Sequence, residues 1–134
     1  MIKIFLLCCA YMVVASSVAE WWYAEVPTGG QVIEVKTVDV SPTEYRFEPA
    51  DIKVRPGDTV RFIQSGSMPH NVEFRDAPEG TDLGGARMEP YMTQAGETYD
   101  VAIDGRFVPG SHAYVCTPHE TMGMKGTITV AEET

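Results

Sequence analysis

From Val32 onward, apolar residues recur at every second position in short runs, and the runs are separated by stretches rich in Gly and Pro. This period limits the possible folds more than any other feature. Strand side chains alternate between two faces, whereas a helix needs apolar residues three and four apart. In "QVIEVKTVDV", Val32, Glu34, Lys36 and Val38 alternate with Ile33, Val35, Thr37 and Asp39. "DIKVRPGDTVRFIQ" reads as two strands around a Pro56-Gly57-Asp58 turn. "HNVEF" puts His70, Val72 and Phe74 on one face and Asn71 and Glu73 on the other. "ETYDVAI", "SHAYVC" and "KGTITVAE" supply three more strands, and the Gly-, Pro- and charge-rich region Arg75–Ala95 reads as a long loop with one helical turn near Ala86–Met92. The expectation is an all-β chain, an antiparallel β-sandwich of seven to eight strands. The lack of any segment of helical period after a strand argues against a parallel α/β fold.

At 134 residues the chain is long enough for one domain with a core of its own. Its first stretch, "MIKIFLLCCAYMVVASSVAEWW", has one positive charge at Lys3, an apolar run from Ile4 to Ala15 and a small-residue exit at Ser17-Val18-Ala19. That layout predicts a signal peptide over 1–19, followed by a flexible lead-in over 20–30 and the folded domain over 31–134. The rival reading is an uncleaved anchor with Trp21, Trp22 and Tyr23 at a membrane interface. The apolar run is short for a span of about 20 residues, so the mature form is expected to have no membrane span and to be periplasmic or otherwise extracytoplasmic.

Export alters the meaning of the cysteines. Cys8 and Cys9 fall in the leader, which leaves the mature domain with Cys116 alone. A single cysteine in an oxidising compartment forms an intermolecular bridge, stays a reactive thiol or binds a metal. Paired-cysteine zinc sites are ruled out. Loss of Lys3 leaves 9 basic against 19 acidic groups, a net of −10. Such a surface repels nucleic acid and anionic lipid and favours basic partners.

Cys116 opens the densest chemical signal, "YVCTPHETMGM", in which one cysteine, one histidine and two methionines fall within eleven residues. Cys116 closes a strand, His119 follows three residues later, and Met122 or Met124 lies further round a loop stiffened by Pro118. A second imidazole must come from His70 or His112. His112 lies four residues before Cys116 on the same strand, about 13 Å away, too far for a shared site, and is read as structural or surface-exposed. His70 begins a strand after the turn-like "QSGSMP", at a sheet end. Two imidazoles, a thiolate and a weak thioether describe the trigonal copper site used for electron transfer.

"MPHNVEF" and "YVCTPHETMGMKGTITV" together resemble the cupredoxins, the type 1 blue copper proteins of the plastocyanin, pseudoazurin and amicyanin group, and "EYRFEPADIKVRPGDTVRF" is similar to the strands before the first ligand in that family. The resemblance runs from about Val32 to Val130. It implies a Greek-key sandwich, one copper ion cycling between Cu(I) and Cu(II), and His70, Cys116 and His119 as equatorial ligands. Relatives carry the axial methionine two residues before the Gly that opens the last strand, which here is Gly126, so the resemblance favours Met124 over Met122. Asn71 and Thr117 are similar to the pair that ties the ligand segments together in the family. Pro118 has no N–H to offer the thiolate sulfur. In some relatives an exposed aromatic precedes the cysteine as a second electron port; here that position is Val115.

The implied function is one-electron transport by an exported monomer. His119 would be the port, inside a docking rim of Met68 and Met122, and Met88 and Met92 are either rim or core. Partners would be redox proteins such as c-type cytochromes, oxidoreductases or dehydrogenases. The resemblance also implies that His119 detaches and protonates in the Cu(I) state at low pH. The alternative is an exported copper carrier or buffer. A Cys/His nucleophilic enzyme is disfavoured because no orienting carboxamide accompanies the pair. Copper oxidases and nitrite reductases need more histidines than the three present, and a binuclear site would need a second nearby cysteine.

Overall fold

A computed structural model describes residues 30–133. The expected signal peptide over 1–19 and all but the last residue of the expected lead-in over 20–30 lie outside the described residues. The strands are β1 (Val32–Ser41), β2 (Glu44–Glu48), β3 (Asp51–Val54), β4 (Thr59–Gln64), β5 (Glu73–Asp76), β6 (Thr98–Ala102), β7 (Gly110–Val115) and β8 (Lys125–Val130). They form two four-stranded sheets, ordered β2-β1-β4-β6 and β3-β8-β7-β5. Eight strands in two sheets is the expected sandwich.

The sheets are mixed rather than purely antiparallel, because β1 pairs with β4 and β3 with β8 in parallel. The winding is responsible. Each connection from β2 through to β7 crosses from one sheet to the other, and the hairpins within a sheet are β1–β2 and β7–β8. A period of two shows which face a residue takes and carries no information on which strand lies beside it. The helical turn falls at Gly84–Arg87, slightly earlier than expected. β5 starts at Glu73, while His70 reaches across to Met92 as an isolated bridge.

The inward faces meet in a core built on Val35, Phe47, Val60, Phe62, Phe74, Tyr114 and Ile128, all 2% exposed or less. Tyr114 lies within 4.9 to 6.1 Å of the rings of Phe47, Phe62 and Phe74, and its hydroxyl donates to the Ala50 carbonyl at 2.8 Å. Each such ring contributes about 1.5–3 kcal/mol by burial. His112 belongs to this scaffold: it is fully buried, edge-on to Phe107, and its Nε2–H donates to the Val108 carbonyl at 2.8 Å.

Register then fixes the position of the chemistry. Glu73 pairs with Val115, and Val115 with Lys125, so β5, β7 and β8 are level at one end of their sheet. The residues just beyond that level are Asn71-Val72, Cys116 and Met124. In the other sheet β1 and β4 run parallel with Thr37 opposite Gln64, and the loop from Ser65 to Pro69 that carries His70 leaves from the end of β4.

Candidate metal centre

Cys116 is fully buried at the end of β7, and its N–H donates to the Met124 carbonyl at 3.1 Å. This bond closes the intervening residues into a loop. Thr117–Met122 form a 3-10 turn with Pro118 near its start, and Gly123 ends it at a positive φ of 92°. The turn brings His119 back over the cysteine: the Cys116 Sγ to His119 Nδ1 distance is 3.5 Å. His70, in the connection between β4 and β5, brings its Nδ1 to 3.6 Å from the same sulfur and 3.1 Å from His119 Nδ1. Among the described residues, these three form the cluster whose donor atoms suit a metal ion. Their separations fit donors sharing one first-row ion at bond lengths of about 2.0–2.3 Å.

The two methionines have different surroundings. Met124 is fully buried, whereas Met122 is 39% exposed. Of the three close donors, His119 alone retains surface, at 7% exposure, against 0% for His70 and Cys116. Met68 is exposed at 42% and Met88 at 56%, while Met92 is buried and exchanges two backbone hydrogen bonds with His70. Val115 is buried.

Burial pushes the Cys116 thiol up, while the backbone N–H groups of Asn71 and His119 pull it part of the way back. Burial, with a smaller contribution from neighbouring His70, holds His119 below the ordinary histidine range. A thiol disfavoured as a free anion and an imidazole kept neutral are both relieved by a cation, since binding requires the deprotonated forms.

Asn71 and Thr117 meet as expected. Asn71 Oδ1 accepts from the Thr117 N–H at 2.8 Å, and its Nδ2 donates to Thr117 Oγ1 at 2.9 Å. Thr117 Oγ1 donates in turn to Glu73 Oε2 at 2.8 Å.

The matched family profile is copper-binding proteins of the plastocyanin/azurin family, and it covers residues 33–131. The chain belongs to that family. It is similar to the chloroplastic plastocyanin of Hordeum vulgare, at 40% identity over 86 residues, 63% of this chain and 54% of that protein. It is also similar to the plastocyanin of Scenedesmus fuscus, at 36% identity over 63% of this chain and 85% of that one. The chain therefore spans about half the length of the Hordeum relative. Among solved structures, oxidised plastocyanin from Dryopteris crassirhizoma superposes with a TM-score of 0.60 at 30% identity, covering 72% of this chain and 98% of that one. As a plastocyanin/azurin-family protein, the chain takes copper as its cofactor, and the donor set of one thiolate and two imidazoles suits it.

The structure adds two residues that the sequence reading did not single out. Tyr45 of β2 stacks on the His119 ring, and Asp39 of β1 accepts a hydrogen bond from His70. The signal for Asp39 was present in "QVIEVKTVDV", where it shares the inward face with Ile33, Val35 and Thr37: a carboxylate at the end of an apolar stripe. Tyr45 carries no comparable signal, since an inward aromatic on a strand looks like core.

Proposed function

We propose that His70, Cys116 and His119 hold one copper ion with Met124 as the weak axial ligand, and that the protein is an exported one-electron carrier between redox proteins. The observation carrying this reading is the triangle of Sγ and two Nδ1 atoms at 3.1–3.6 Å, all buried and supplied by two chain segments, the β4–β5 connection and the loop after β7. A bound copper ion supplies a couple that accepts and returns one electron. The chain's part is to hold the donors still. The Asn71–Thr117 pair locks the two ligand segments together, and the Cys116–Met124 backbone bond fixes the ends of the loop. A scaffold of this kind limits rearrangement between oxidation states and excludes water from the sulfur.

His119, the donor with remaining surface, is the proposed port, and Met68 and Met122 offer soft apolar contact around it. The acidic balance suits basic partners such as c-type cytochromes, and dehydrogenases or other oxidoreductases are further candidates. The leader over 1–19 supports a periplasmic or other extracytoplasmic location, and the mature domain is proposed to act as a monomer. Among the described residues, no helix is long and apolar enough to cross a membrane.

Cyclic voltammetry of the copper-loaded protein, with and without a competing chelator, tests the reading. A reversible one-electron response that survives the chelator in both oxidation states supports a carrier of electrons. Ready loss of copper to the chelator would replace it with a copper carrier or buffer.

A further inference from the structure

His70 presents Nδ1 to the metal cluster, and its other ring nitrogen faces Asp39 Oδ1 at 2.7 Å. The imidazole side chain is fully buried and the carboxylate only 21% exposed. The other carboxylate oxygen accepts from the Ser67 N–H at 2.7 Å, the Met68 N–H at 3.1 Å and the Ser67 hydroxyl at 3.2 Å. Asp39 therefore grips both the ring of His70 and the loop that delivers it. It sits where the β1–β2 register shifts, an irregularity of the kind that re-aims a side chain. Gly66 completes the fit, because a Cβ there would collide with the Asp39 carboxylate.

We propose that Asp39 is a positioning residue for the copper centre: its carboxylate fixes His70 with the proton on Nε2 and Nδ1 free to bind, and its negative charge lowers the Cu(II)/Cu(I) potential. A carboxylate behind a ligand imidazole strengthens it as a donor and orients it. Its charge also stabilises the doubly charged ion more than the singly charged one. Every partner of the Asp39 carboxylate is a donor, namely two backbone N–H groups, the Ser67 hydroxyl and the His70 ring, which is the environment of an acceptor-only anion. This inference rests on the copper site proposed above.

The test compares the copper-loaded parent with Asp39→Asn and Gly66→Ala, each read by its visible spectrum and its potential. Asp39→Asn is expected to keep the thiolate-to-copper band while shifting the equilibrium toward Cu(I) by about tenfold, about 59 mV for a one-electron couple. Gly66→Ala, which displaces the carboxylate without changing any charge or ligand, is expected to shift it in the same direction. If Asp39→Asn keeps the band and its potential stays within about twofold of the parent's equilibrium, Asp39 merely pins the loop and the inference fails while the copper reading stands. A parent without the band would remove both. Should neither variant fold, nuclear magnetic resonance of the Cu(I) parent decides. A slowly exchanging, hydrogen-bonded Nε2 proton on His70 is expected, and its absence overturns the inference.

Discussion

The ring of Tyr45 lies stacked on that of His119, with centroids 4.0 Å apart and planes 21° from parallel. Tyr45 is 6% exposed, and its hydroxyl reaches the Pro42 carbonyl at 3.3 Å, so the ring is held at both ends. It covers the one close donor that retains surface. Replacing it by Tyr45→Leu opens a face of the imidazole to water and relieves the burial that disfavours its charged form. In the metal-free protein His119 should then take up its proton at a higher pH, seen by following its ring protons through a pH titration. An unchanged titration would mean that the stack does not shield His119.

The metal-free protein should be most stable near neutral pH, for reasons of opposite sign. His119 binds its proton less readily folded than unfolded, so folding loses stability as pH falls through the ordinary histidine value of about 6.5. Asp39 has a depressed value, and its contribution disappears as pH falls below the ordinary carboxyl range. Cys116 is shifted the other way: the unfolded thiol ionises first, so stability falls as pH rises past about 8.5. Urea midpoints from pH 4 to 10 should trace this dome. Copper should flatten its alkaline side, because the bound thiolate has no proton left to lose.

Asn71→Ala removes two hydrogen bonds to Thr117 at 2.8 and 2.9 Å. The cost should be about 1–3 kcal/mol by urea unfolding of the metal-free protein. A cost below about 0.5 kcal/mol would mean that the link between the ligand segments is replaced by water.

Much of this centre is legible in the chain before any folding. His70, Cys116 and His119 stand out because soft and borderline donors rarely crowd together, and the run of alternating residues around them indicates a sandwich. Met124 could be separated from Met122 only by resemblance; the fold leaves Met124 fully buried and Met122 39% exposed. Strand direction was not legible. Whether β4 lies parallel to β1 depends on connections that cross between sheets, and alternation is indifferent to them. The partners of Asp39 and Tyr45 were hidden for a related reason: each acts across 31 or more residues of sequence, on a ring brought to it by the fold rather than by spacing.

Pro118 follows Thr117 at the start of the ligand turn and carries no N–H. Pro118→Ala supplies a donor in the neighbourhood of the Cys116 sulfur, which should draw electron density from the thiolate and favour Cu(I). The potential should therefore rise. A potential that is unchanged or lower would show that the added N–H does not reach the sulfur.

The central claim is that the Cys116 sulfur and the two imidazole nitrogens 3.5 and 3.6 Å from it share one copper ion. The most direct measurement is the visible and electron paramagnetic resonance spectrum of the protein with one equivalent of Cu(II), taken beside Cys116→Ser. The expected result is an intense blue or green band in the parent that is missing from the variant. A pale parent that binds copper equally well with serine at position 116 would contradict it.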